Sequence, residues 1–245
     1  RDVLTPDEVA ALNEGIDHHA EEMKPIGRSL SGDSKALAGT SRRLDLGGML
    51  AWEQPWSEPW RELLIHAKVK PYLDEILGTG YRLDHGPGLI AMDNGCEGGV
   101  LHGGGVERNN LSEAYFFKAG RIYTGLTVVE YLLADEGAGD GGVAVVPGSH
   151  KANLYCPKAM KDWEAYQEHV VEVKTKAGDA VIFTETLTHG TLPWTADHQR
   201  RAVLYKFSPS FQSYGSGAHD VAYPDYIEAM TEDQRAVMEA PHIRR

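Results

Sequence analysis

Apolar and polar positions recur with two different periods along this chain, and the change falls near residue 80. Before it the spacing is helical. Val9, Leu12 and Ile16 share one face of a stretch opened by Thr5, Pro6 and Glu8, which form a Thr-x-x-Glu capping box with proline at the first helical position. A second helix is predicted over 58–77, where Trp60, Leu63, Leu64, Val69, Tyr72, Leu73 and Ile76 keep mostly helical spacing and Gly78 stops it. Between them, residues 25–50 are rich in Gly and Ser, carry Arg42-Arg43, and read as a long surface loop. After residue 80 short β-prone runs follow one another: Tyr81–Asp84, Leu89–Met92, Thr124–Leu133, Val143–Val146, His169–Val173, Ala180–Phe183 and Arg201–Phe207. No helix-length segment separates them, which argues against alternating β-α units. The pattern predicts a mainly β fold with flanking helices, a sandwich, barrel or jelly roll. Thr231-Glu-Asp-Gln opens a last short helix.

Composition narrows the function classes. The chain has 245 residues, 42% hydrophobic and 24% charged, which suits one large globular domain. Its net charge of −12, with no basic run, gives nucleic acid and anionic membranes nothing to hold. The longest apolar run, Leu126–Ala134, is broken by Glu130 and falls short of the roughly 18 residues of a membrane span. Cys96 and Cys156 make no disulfide framework and no CxxC. With no signal peptide in view, a cytoplasmic protein acting on a small molecule is expected, and nothing in the pattern specifies an oligomeric state.

Several motifs fail. Gly27-Arg-Ser-Leu-Ser-Gly lacks the second glycine of a nucleophile elbow. Gly103–Gly105 has no Lys-Ser/Thr to make a phosphate loop. His18-His19, adjacent at a helix end, read as surface residues. Two other histidines stand out. His102 and His189 each follow an apolar strand and precede glycine, so a barrel would bring two imidazoles to one mouth, a site for a transition metal such as iron. Arg200 follows His189 by a strand, a turn and the start of the next strand, and an arginine fork suits a dicarboxylate. Arg201 is the candidate for an ordinary surface cation.

The run from Gly125 to Lys151, ending Gly-Asp-Gly-Gly-Val-Ala-Val-Val-Pro-Gly-Ser-His-Lys, together with His189-Gly-Thr and Arg200, resembles the phytanoyl-CoA dioxygenase family over roughly residues 80–210. The resemblance implies a double-stranded β-helix (a cupin-like jelly roll), iron(II) and 2-oxoglutarate as cofactors, and oxygenase activity, most directly hydroxylation. It implies a single oxygenase domain: a helical part over 1–79 packed on the barrel, the β-helix over 80–210, and a C-terminal extension over 211–245. It casts His102 and His189 as metal ligands, Arg200 as the holder of the far carboxylate of 2-oxoglutarate, Thr191 as its hydroxyl partner, and Tyr131 as a residue lining the site. His150 belongs to a structural turn in this scheme.

One departure matters. The family's first motif is His-x-Asp, and here it reads His102-Gly103-Gly104. Three arrangements fit. A halide or water fills the vacant position, as in the superfamily's halogenases, with chloride as an added cofactor. Alternatively another acid ligates: Glu130, unexplained inside an apolar strand, is the first candidate, and Glu107 is nearer in sequence. Or the site is degenerate and binds metal weakly or not at all. A different class stays open beside these, because the same barrel architecture serves metal-binding isomerases and non-enzymatic binding modules. Strand alternation sets Glu130 and Tyr131 on opposite faces, so both cannot line the cavity without a bulge.

Overall fold

A computed structural model describes residues 1–104, 113–152, 154–214 and 224–243. The first helix, α1, runs Pro6–His18 with the capping box formed as expected: Thr5 accepts from the Glu8 amide while the Glu8 carboxylate accepts from the Thr5 amide. The Gly- and Ser-rich stretch is less featureless than its composition suggests. Lys24–Pro25 (β1) and Leu44–Gly47 (β2) pair at a sheet edge, and Leu37 is buried. The second helical stretch splits into α2 (Glu58–Glu62), one 3-10 turn (Leu63–Ile65) and α3 (Lys70–Leu77). Pro71 explains the break, because it has no N–H for the preceding turn and fits only the first turn of a new helix.

The strands β3 (Arg82–Met92), β4 (Gly99–His102), β5 (Tyr115–Lys118), β6 (Arg121–Thr124), β7 (Thr127–Leu132), β8 (Gly142–Val145), β9 (Val171–Glu172), β10 (Ala180–Thr184), β11 (His189–Leu192) and β12 (Arg200–Ser208) follow, interrupted by the short α4 (Lys158–Lys161). The capped α5 (Glu232–Val237) comes last. The larger sheet has the order β1-β2-β3-β12-β7-β10, the smaller β4-β11-β8-β9, and β5-β6 is a separate hairpin. All named strand pairs are antiparallel. The two larger sheets face one another as a jelly roll, the double-stranded β-helix.

Alternation along β7 and β12 decides what enters the barrel. Val129 and Tyr131 on β7, and Val203, Tyr205 and Phe207 on β12, point outward into the main core, where they meet Leu12, Ile16, Trp60, Leu64 and Leu73 of the helices. The opposite face of the same strands, with Val128, Glu130, Arg200, Ala202 and Lys206, lines the interior. Arg201 takes the outward parity and binds Asp17 at 2.6 Å and Asn13 at 2.9 Å, fastening α1 to the sheet. It is the cation outside the barrel, as expected. No described helix is long and apolar enough to cross a membrane.

Candidate metal centre

His102 and His189 are direct cross-strand partners between β4 and β11, with ring centroids 4.3 Å apart. Each ring is oriented in the same way. His102 Nδ1 lies 3.2 Å from the Val100 carbonyl, and His189 Nδ1 lies 2.7 Å from that of Leu187. A carbonyl can only accept, so Nδ1 carries the proton in both rings and both Nε2 lone pairs are left for a metal. Burial, helped by His102, lowers the His189 pKa to about 4, so this imidazole is neutral at ordinary pH, the form that ligates.

The third group is Glu185, which sequence reasoning passed over. It lies in the tight turn between β10 and β11, closed by a Leu187 N–H to Thr184 carbonyl bond of 2.9 Å. Its side chain is buried, and one ligand atom from each of His102, Glu185 and His189 fits within 4.8 Å of the others. Burial would push its pKa up, but His189, Lys206 and His102 outweigh that and hold the carboxyl below the ordinary range. Two neutral imidazoles and one carboxylate are the donor set for iron(II) with open positions, so these residues fit the metal. The signal in the sequence was an acid in a short turn four positions before His189.

The backbone explains why no acid stands at position 104. Gly103 and Gly104 have φ of 87° and 94°. A Cβ on Gly103 would run into the carbonyl oxygens of Glu185 and Leu187, and one on Gly104 would meet only Thr188 Oγ1 at 3.4 Å. Position 104 has room for a side chain but holds a conformation that L-residues avoid. The turn bearing Glu185 packs against this backbone and delivers the carboxylate from the other side.

Two assignments are corrected. Tyr131 does not line the cavity: it is fully buried on the helix side of β7, donates to the Leu63 carbonyl at 3.2 Å, and packs edge-on to Tyr205. Glu130 does face the interior, as the alternation requires, but it is outside the metal cluster. It accepts from Arg200 Nη2 at 2.7 Å, so a buried ion pair accounts for the acid in this strand. Glu107 lies outside the described residues.

Arg200 is fully buried at the start of β12. Besides Glu130 it meets Glu136, whose Oε1 is 2.8 Å from Nε, while among the described residues Nη1 faces Met92 Sδ at 4.0 Å. Gly142, at φ 89°, makes the arrangement possible, since a Cβ there would collide with Glu136 Oε2. Two carboxylates on one guanidinium would leave a buried negative charge, and the cluster answers by protonation. Burial first, then repulsion by Glu130, push the Glu136 pKa up to about 7 despite Arg200. Glu136 is thereby protonated below neutral pH, and among the described residues the group beside Nη1 is a thioether. Thr191, half-buried, shares the His189 face of β11 by strand parity. His150 stays out of the cluster, in the turn after β8 with its ring edge-on to Tyr115.

Comparisons with known proteins bear on the fold and on the stretch that carries the histidines. The phytanoyl-CoA dioxygenase family model matches residues 102–202, a span that begins at His102 and includes His189 and Arg200. Comparison with curated proteins gives no match. Among solved structures, the chain is similar to HygX from Streptomyces hygroscopicus with nickel and 2-oxoglutarate bound (18% identity, 99% of this chain and 90% of that one, TM-score 0.69). It is also similar to two enzymes of nogalamycin biosynthesis. One is the non-heme alpha ketoglutarate dependent carbocyclase SnoK (17%, 99% and 87%, TM-score 0.63). The other is the alpha ketoglutarate dependent epimerase SnoN (16%, 89% and 85%, TM-score 0.59). The solved structures share the fold, and the stretch of this chain that resembles the phytanoyl-CoA dioxygenase family, residues 102–202, is the one that carries the histidine pair and Arg200.

Proposed function

We propose that this protein is an iron(II)- and 2-oxoglutarate-dependent oxygenase that hydroxylates an unactivated carbon of a small polar metabolite. The observation that carries the reading is the convergence of His102, Glu185 and His189 in the barrel mouth, with Arg200 deeper in the same interior. Bound iron(II) would supply oxygen activation coupled to oxidative decarboxylation of 2-oxoglutarate to succinate and carbon dioxide. The chain's own part is to hold and position. The two Nε2 atoms and one Glu185 oxygen would hold the metal and leave it open to the co-substrate. Arg200 would take the far carboxylate through its Nη1 edge, with Thr191 beside it.

Glu185 supplies the carboxylate that the His102-Gly-Gly motif lacks, which favours hydroxylation over the chloride-filled vacancy of a halogenase. The described mouth supports a polar substrate. Asp84 accepts from Ser208 Oγ at 2.8 Å and the Tyr214 amide at 3.0 Å, and Tyr214 donates to Glu113 at 2.9 Å. HygX, of the same fold, has been crystallised with hygromycin B, a small molecule. The test is succinate release from 2-oxoglutarate by iron-loaded protein, with and without chloride. Candidate polar metabolites are screened alongside for a product one oxygen atom heavier. Iron-dependent succinate that is lost in His189→Ala, with no chloride requirement, is expected. No succinate from metal-loaded protein across the screen would overturn the reading. A product of unchanged mass would move it to an epimerase, and one short of two hydrogen atoms to a cyclase.

A further inference from the structure

We infer that Lys206 is a positioning residue for the metal centre, fixing the Glu185 carboxylate so that it offers the metal one oxygen. The inference rests on the His102–Glu185–His189 reading above. Lys206 lies on the interior face of β12, opposite Val128 of β7 and His85 of β3. Its Nζ reaches across the barrel to Glu185 Oε1 at 2.6 Å, and the two side chains are 29% and 9% exposed. The other oxygen, Oε2, is the one turned toward the histidines, 3.9 Å from His189 Nε2.

Three physical points follow. Glu185 sits in a turn rather than on a strand, with several rotatable bonds between backbone and carboxylate, so something must fix it. Within the described residues, the side chain that hydrogen-bonds it is Lys206. Second, the lysine decides denticity. His102, His189 and Glu185 Oε2 would hold iron(II) through three donor atoms and leave room for a chelating co-substrate. A glutamate released from Lys206 could chelate with both oxygens and take a position that the co-substrate needs. Third, a cation on a ligating carboxylate sets its basicity and orientation, the usual task of outer partners, whose loss costs about 10–100-fold in metal affinity.

The experiment is a cobalt(II) titration of metal-free protein, followed by visible absorption, for the wild type, Lys206→Met, Lys206→Gln, Lys206→Arg and Glu185→Ala. Cobalt reports coordination number directly and needs no turnover. Lys206→Met and Lys206→Gln are expected to bind about 10–100-fold more weakly, with an altered spectrum that 2-oxoglutarate no longer shifts as in the wild type. Lys206→Arg, which keeps the charged donor, should return most of both. Two neutral variants guard against one failing to fold. Wild-type affinity and spectrum in either folded neutral variant would overturn the inference while leaving the metal centre intact. Unweakened binding in Glu185→Ala would overturn the metal-centre reading and the inference with it.

Discussion

Glu136 is a buried acid whose proton equilibrium the fold shifts across neutral pH. Its carboxyl is buried beside Arg200 and Glu130, and its pKa rises from an ordinary 4.5 to about 7. A shift of that size corresponds to about 3 kcal/mol between the two protonation states. The sign is fixed by linkage. Below pH ~4.5 the carboxyl is protonated in folded and unfolded chains alike, and its contribution to stability is complete. As pH rises from there, the unfolded chain releases the proton first, and stability falls until the folded group also ionises near pH 7, after which the loss is constant. Glu136→Gln keeps the shape and removes the proton equilibrium. Urea unfolding of both proteins between about pH 5 and about pH 8 isolates the effect as a difference, because the remaining carboxylates titrate in both. The variant should gain on the wild type with rising pH, by an amount approaching 3 kcal/mol, or roughly 6–12 °C in Tm. A difference that does not change with pH, or that favours the wild type increasingly as pH rises, would show Glu136 ionised throughout and refute the argument for its protonation.

Further outcomes follow from other parts of the structure. Glu185→Ala should abolish tight iron binding and, through the lost ion pair to Lys206, lower the unfolding temperature of the metal-free protein; tight binding in the variant would remove Glu185 from the centre. Adding Gly104→Asp to that variant should not restore metal, because the side chain would need a left-handed backbone costing about 1–3 kcal/mol; recovered iron affinity would contradict this. Gly142→Ala should destabilise by a few kcal/mol, since the new methyl collides with Glu136 and the backbone holds φ 89°, and Glu136→Ala in the same chain should relieve the collision but not the backbone strain in a double-mutant cycle. Thr5→Ala should cost about 1 kcal/mol through the lost cap of α1, read as a Tm lowered by roughly 2–4 °C.

Much of this molecule is legible in its sequence where one local rule dominates. The Thr5 and Thr231 boxes, the stop at Gly78 and most of the strands are set by neighbours within a few residues. His102 and His189 are legible because each closes an apolar strand beside glycine. What escapes is what depends on which face of a strand is covered. Tyr131 and Glu130 alternate visibly, but only the helices packed on the outer side decide that the tyrosine faces them and the glutamate faces the barrel. Glu185 and Lys206 escape for a related reason. One sits in a turn and the other 21 positions later on a strand, and their meeting is made by the closing of one sheet over the other. The split of the second helix is local and was readable at Pro71.

The central claim is that iron(II) and 2-oxoglutarate meet at His102, Glu185 and His189. The most direct measurement is anaerobic titration of iron-loaded protein with 2-oxoglutarate, following the visible charge-transfer absorption that appears when the keto acid chelates iron. The account expects a saturable band at one iron per chain, absent in Glu185→Ala, and needing much more 2-oxoglutarate in Arg200→Ala. Iron bound with no such band, or a band undiminished in Glu185→Ala, would contradict it.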